Sequence, residues 1–106
     1  MSRIRGFEVV KAWEMKGIHL PERKTSKSSR YDLESAEDVI LAPHKTTVLS
    51  TGLKAYMQED EYLAVYIRSS LAIKHGIVLI NSTGIIDADY YNNSDNEGHI
   101  MIAVYN

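Results

Sequence analysis

The sequence predicts a mostly β fold. Its apolar runs are short, polar residues and Gly or Pro signals separate them at close intervals, and two late runs are apolar on both faces of a strand. Only Ser69 to His75 reads as a helix, and it is about two turns long.

Taken in order, Ile4 to Val10 is a first strand. Lys24 to Arg30 is polar and basic and forms a loop. Tyr31 to Leu33 and Val39 to Leu41 are short strands, and Ala42-Pro43-His44-Lys45 is a turn after them. Thr46 to Ser50 is rich in β-branched residues. Leu53, Ala55 and Met57 alternate with Lys54 and Tyr56, which predicts a strand with one face in the core. Gln58-Glu59-Asp60-Glu61 is an acidic turn. Ser69 is placed to cap the helix, and Gly76 to end it. Ile77 to Ile80 is an apolar strand, Asn81-Ser82-Thr83-Gly84 a turn and Ile85-Ile86-Asp87 a returning strand. Together Val78 to Asp87 read as a β-hairpin.

Tyr62 to Ile67 puts Leu63, Val65 and Ile67 on one face and Tyr62, Ala64 and Tyr66 on the other. Ile100 to Tyr105 does the same with Ile100, Ile102 and Val104 against Met101, Ala103 and Tyr105. Neither strand has a water-loving face. Such strands in a small antiparallel protein need cover on both sides, and a second subunit is one source of it. The expectation is an oligomer.

Length and charge set bounds on function. The chain has 106 residues, about one small domain, with 12 basic and 14 acidic residues and a net charge of −2. That balance gives no electrostatic reason to expect nucleic acid or an anionic membrane as the main partner. There is no cysteine, which removes disulfides and thiolate metal sites and fits a reducing compartment. Near the N-terminus, Arg3 and Arg5 accompany no apolar run long enough for a signal peptide or membrane span, so the expected location is the cytoplasm. His19, His44, His75 and His99 are scattered without metal-ligand spacing and read as surface or loop residues. P-loop and dinucleotide-binding glycine motifs are absent.

Three segments carry chemistry. Arg68-Ser69-Ser70-Leu71-Ala72 sets a guanidinium and two hydroxyls at a strand-to-helix junction, which suits a phosphate as well as an ordinary helix cap beside a surface Arg. Asn81 to Tyr90 offers a turn whose backbone donors and acceptors match a base edge. Asp87 stands on a strand to hold and deprotonate a water, and Tyr90 offers a flat face for a sugar. The same acids also serve as solvated strand-end groups and Tyr90 as a core residue. In Ser29-Arg30-Tyr31-Asp32-Leu33, Asp32 either orients an Arg or a metal-bound water, or forms a turn.

In this order the segments resemble the trimeric dUTPase family. Leu20-Pro21-Glu22-Arg23 with Tyr31-Asp32-Leu33 resembles the approach to its first motif, Arg68-Ser69-Ser70-Leu71-Ala72 its second, and Gly84-Ile85-Ile86-Asp87-Ala88-Asp89-Tyr90 its third. The resemblance runs from Ile4 to Asn106, and the Tyr90-to-Gly98 stretch is similar to members from Gram-positive bacteria and their phages. It implies an all-β, jelly-roll-like distorted barrel with one short helix, spanning 1–106 as a single domain and assembled as a homotrimer with sites between subunits. It further implies hydrolysis of dUTP to dUMP and pyrophosphate. Asp87 would activate the water that attacks the α-phosphorus, and Tyr90 would pack on the deoxyribose and exclude a 2′-hydroxyl. Asn81 with the backbone around Gly84 and Ile86 would read uracil, Arg68, Ser69 and Ser70 would hold phosphate from a neighbouring subunit, and Asp32 would support the phosphate region. Mg²⁺ would arrive on the triphosphate, mostly through water, with no direct protein ligand.

The sequence departs from the family in places. Ile67 replaces a usual Pro, and Ser29 and Arg30 replace small residues. The stretch Tyr91 to Gly98 is longer than the common turn there, and is either a surface loop or a protein-contact loop. The family's fourth motif and Gly-rich arm would follow Asn106, so the sequence reads as a fragment that ends in mid-pattern, with a truncated form as the alternative. Two rival functions remain. A dCTP deaminase of the same fold would carry a catalytic Glu where this chain has Ala103. A non-catalytic regulator would bind a partner protein.

Overall fold

The computed structural model describes residues 4–23, 25–28 and 30–106. Lys24 and Ser29 of the polar loop, and Arg3, lie outside the described residues. Seven strands and one α-helix are present among them: β1 (Gly6–Val9), β2 (Thr46–Ser50), β3 (Leu53–Tyr56), β4 (Tyr62–Val65), α1 (Ser69–His75), β5 (Val78–Leu79), β6 (Gly84–Asp87) and β7 (Met101–Tyr105). Two single 3-10 turns, Lys11–Trp13 and Ala88–Tyr90, complete the list and were not expected from the sequence.

All pairings are antiparallel. β1 pairs β3, β4 pairs β6, and β7 lies between β2 and β5. The last strand thus closes a sheet between two earlier ones, a jelly-roll-like order. Thr51 and Gly52 join this sheet to the first. Thr51 Oγ1 donates to the Ile100 carbonyl at 2.7 Å and accepts from Leu53 N–H at 3.1 Å. Val10 N–H reaches the Gly52 carbonyl at 2.8 Å.

The core follows the predicted alternation on β7. Ile100 and Val104 are fully buried, and Val104 packs with Ile77 and Leu79. The opposite face of β7 remains open, with Met101 48% and Tyr105 38% exposed. Val48 lies across from Ala103 and Val78 across from Tyr105, so both share that open face, and each is at least half exposed. The apolar two-faced strands expected from sequence are therefore present, and one face is uncovered within a single chain.

Several expectations need correction. Tyr31–Leu33 and Val39–Leu41 form no strand. Neither segment finds a ladder partner in any of the three sheets, and this region is held by isolated bonds instead. Ala36 N–H donates to the Ser50 carbonyl at 2.7 Å, and Asn106 Nδ2 to the Leu41 carbonyl at 2.7 Å. Ser69 does not cap α1. The cap residue is Arg68, in extended backbone, and no side chain bonds the helix start. Gly76 does end the helix, at φ 65°.

Val78 to Asp87 is not a hairpin. β5 joins β7 and β6 joins β4, so the two runs go to different sheets. The link between them folds tightly on itself. Thr83 N–H bonds the Asn81 carbonyl at 2.6 Å, Ser82 N–H bonds the Leu79 carbonyl at 3.1 Å, and Ser82 sits at φ 63°. Burial of Leu79 beside Val104 draws β5 to β7, while Ile86 takes Leu63 as its cross-strand neighbour.

Lys54 is also not on a wet face. It is 8% exposed, and its ammonium is held by Asn92 and Glu97. His99, read as a surface or loop residue, is likewise 8% exposed. Its Nε2 accepts the Gly52 N–H at 3.0 Å, and its ring packs on Trp13. Burial lowers its pKa, with the nearby Glu97 charge opposing in part. A neutral imidazole is what an accepting Nε2 requires.

Candidate active site

Sending β5 and β6 to separate sheets has a chemical consequence. Each strand spends one edge on its partner, and between them a cleft of about 480 Å³ opens. Its walls are Leu79 to Asn81 on one side, Gly84 to Asp87 with Asp89 and Tyr90 on the other, and Met101 to Ala103 at the back. The volume lies within the range of small-molecule sites. A strand edge that faces a cleft presents main-chain donors and acceptors at fixed spacing, the property needed to read a flat heterocycle.

Five of the sequence-predicted site residues meet there: Asn81, Gly84, Ile86, Asp87 and Tyr90. Asp87 closes β6 opposite Tyr62 and turns directly into the 3-10 turn Ala88–Tyr90, so strand and turn together fix its backbone. Gly84 faces no internal obstacle. A Cβ there would meet only Val65, at an ordinary 3.5 Å, so the chain's own packing does not demand glycine at this position. Ala103 lines the cleft and brings no acid to the position where deaminases of this fold carry Glu. Asp87 and Asp89 are the carboxylates in the lining.

Arg68, Ser69, Ser70 and Asp32 are not brought to this cleft. All four are exposed, the first three at the start of α1 and Asp32 in the irregular segment before β2. The cleft adjoins the uncovered face of β7, since Met101 and Ala103 belong to both. Two wider surface depressions, of about 570 and 590 Å³, lie against the loop after Tyr90 and against β1. Of the loop side chains that border them, those of Asn92, Asn93, Asn96 and Glu97 are engaged in hydrogen bonds.

The least expected part of the site is that loop. Tyr90 donates its hydroxyl to the His99 carbonyl at 2.8 Å and accepts from Asn96 Nδ2 at 2.8 Å. Its carbonyl accepts Asn93 Nδ2 at 2.7 Å. Asn93 Oδ1 accepts the Asp95 and Asn96 N–H groups at 2.9 and 3.0 Å, and Asn96 Oδ1 accepts Gly98 N–H at 3.0 Å. From sequence, Tyr91 to Gly98 reads as a surface loop or a protein-contact loop. The available signal was its run of Asn residues, which tolerate left-handed backbone and cap their own turns. Asn92 and Glu97 do adopt positive φ, 56° and 65°.

The sequence and the fold agree with known proteins. A family model described as dUTPase matches residues 16–106. The chain belongs to the dUTPase family. It is 54% identical over 104 residues to the deoxyuridine 5′-triphosphate nucleotidohydrolase of Lactococcus lactis, covering 98% of this chain and 69% of that protein. It is 42% identical over 90 residues to the enzyme of the same name from an Enterobacter, covering 82% of this chain and 55% of that protein. Among solved structures, the dUTPase from Streptococcus mutans superposes with a TM-score of 0.85 at 44% identity, covering 93% of this chain and 77% of that one. A mutant dUTPase from phage phi11 of S. aureus, in which coordination of a structural Mg(II) ion is described, superposes at 0.75 with 25% identity, covering 98% and 60%. The expected jelly-roll-like dUTPase fold is thus present, and Gram-positive and phage relatives are among its neighbours. The chain spans between about half and about two thirds of the curated relatives' length. Among the described residues no helix is long and apolar enough to cross a membrane, and no group of three or more His, Asp or Glu is placed to hold a metal.

Proposed function

We propose that the protein hydrolyses dUTP to dUMP and pyrophosphate in the cleft between β5 and β6. The observation that carries this reading is the meeting of Asn81, Gly84, Ile86, Asp87 and Tyr90 around one cleft in a dUTPase-family chain. Uracil enters beside the β6 edge, where backbone N–H and carbonyl groups around Gly84 and Ile86, with Asn81, pair with its two carbonyls and N3–H. Cytosine would set its amino group against a donor and is rejected. The Tyr90 ring packs on the deoxyribose and fills the space a 2′-hydroxyl needs.

Asp87 acts as general base. Its carboxylate takes a proton from a water whose oxygen bonds the α-phosphorus, and the bond from that phosphorus to the bridging oxygen breaks, releasing pyrophosphate. Asp87 and Asp89 supply hard oxygen acceptors suited to a hydrated Mg²⁺, which when bound with the triphosphate neutralises charge on the leaving group.

Arg68, Ser69 and Ser70 are exposed and lie away from the cleft of their own chain, and a neighbouring copy offers them a use. The assembly proposed is a homotrimer in which the uncovered apolar face beside the cleft meets another subunit, whose Arg68, Ser69 and Ser70 hold the phosphates and whose phosphate region Asp32 supports. A cytoplasmic location fits a chain without cysteine. The loop 91–98 as a protein contact is also retained. Asn92, Asn93, Asn96 and Glu97 bond inward, so Ser94 and Asp95 are the side chains it would offer a partner.

The test is to supply the full-length protein with Mg²⁺ and either dUTP or dCTP. Pyrophosphate from dUTP without ammonia from dCTP is expected. Ammonia release would make it a deaminase, and dUTP binding without turnover would make it a regulator.

A further inference from the structure

We propose that Asn96 and Asn93 are positioning residues that fix the Tyr90 ring and thereby set discrimination between deoxyribo- and ribonucleotides. The inference rests on the dUTP-hydrolysis reading above, and concerns what makes the sugar platform rigid enough to discriminate.

A sugar platform that excludes one hydroxyl must not yield by the radius of an oxygen atom. Tyr90 follows a strand end and has partly exposed surroundings, so packing alone does not lock it. Hydrogen bonds do. The phenol is gripped at its far end from two sides, by the His99 carbonyl as acceptor and by Asn96 Nδ2 as donor, each at 2.8 Å. The near end is gripped through the backbone, where Asn93 Nδ2 donates to the Tyr90 carbonyl at 2.7 Å. The two amides also hold each other, Asn93 Nδ2 to Asn96 Oδ1 at 2.9 Å. Ring tilt and ring position are thus fixed by one closed amide network. The residue that donates to the phenol comes from the loop that follows Tyr90. The longer loop therefore has a purpose in the site, although neither Asn lines the cleft.

The network is anchored away from the cleft. Asn92 N–H bonds the Glu97 carbonyl at 2.9 Å, closing the loop, and Lys54 Nζ ties Asn92 and Glu97 to the core. Loss of Asn96 therefore removes one of the two holds on the phenol while the Asn92–Glu97 closure and the Lys54 ties stay in place.

Steady-state turnover of dUTP and of UTP by the full-length protein, wild type against Asn96→Ala, tests the proposal. The ratio of kcat/KM for dUTP over UTP is expected to fall about tenfold, mostly through improved use of UTP. General damage would lower both substrates together and leave the ratio unchanged. Tyr90→Phe removes the hydroxyl that Asn96 holds, so Asn96→Ala should change the ratio less in the Tyr90→Phe background than in the wild type. An unchanged ratio in Asn96→Ala, or an equal additional change in the Tyr90→Phe background, overturns the positioning role while leaving dUTP hydrolysis intact. Absence of dUTP turnover in the wild type overturns the parent reading, and this inference with it.

Discussion

Lys54 holds its ammonium 2.6 Å from Glu97 Oε2 and 2.5 Å from Asn92 Oδ1, in a position that is almost wholly buried. Glu8 lies 3.9 Å from the same nitrogen, and the Tyr91 hydroxyl donates to Glu8. One lysine from β3 therefore ties β1 and both ends of the loop that steadies Tyr90.

Glu97→Ala should be more damaging than Lys54→Met. Removing the acid leaves a buried ammonium short of its partner and frees the Lys11 N–H that Glu97 also accepts. Removing the ammonium leaves a carboxylate that can turn to water. Thermal unfolding should show a Tm loss on the order of 5 °C or more for Glu97→Ala, and less for Lys54→Met. The reverse order would mean that Glu97 is not the partner that compensates Lys54.

Acid should weaken the fold in two stages. Burial holds the His99 pKa below its usual value, so the unfolded chain binds its proton first. Stability from this source is complete above about pH 6.5 and declines as pH falls toward the folded value. Glu97 is also held below its usual range, by Lys54 first and then by the Lys11 N–H. That contribution is complete above about pH 4.5 and is lost as pH falls through the lower folded value. A Tm-against-pH curve should therefore begin to fall near neutrality, and His99→Gln should remove the first decline while retaining the second.

Gly98 is required by both its backbone and its surroundings. It sits at φ 90°, and a Cβ there would meet the Tyr90 carbonyl at 2.8 Å and Tyr91 Cα at 2.9 Å, atoms that cannot swing away. Gly98→Ala should cost roughly 1–3 kcal/mol in denaturant unfolding. Stability equal to wild type would show that the loop repacks freely.

Much of this fold was legible in the sequence. Thr46–Ser50 and Ser69–His75 appear at their predicted bounds, because β-branched content and the Gly76 stop are local signals. Partner choice was not legible. Val78–Leu79 and Gly84–Asp87 read as a hairpin from their turn residues, yet core burial of Leu79 and the Leu63–Ile86 pairing send them to different sheets. Lys54 was misplaced because alternation assigns a face and says nothing about an acid supplied 43 residues away. The site residues around Asp87 were named from their motif, whereas Asn96 acquires meaning only once its contact with Tyr90 is seen.

Tyr90→Ala should relax selection against UTP by more than Asn96→Ala does, since it removes the platform itself. Competition between dUTP and UTP for turnover measures this, and unchanged selectivity would remove Tyr90 from the sugar-reading role.

The most direct test of the account is Asp87→Asn in the full-length protein, with pyrophosphate release and dUTP binding measured side by side. The amide keeps the shape of the side chain but cannot take the proton from water. The account predicts dUTP affinity within a few-fold of wild type and a kcat lower by about 10²–10⁴-fold. Turnover near the wild-type rate would contradict it.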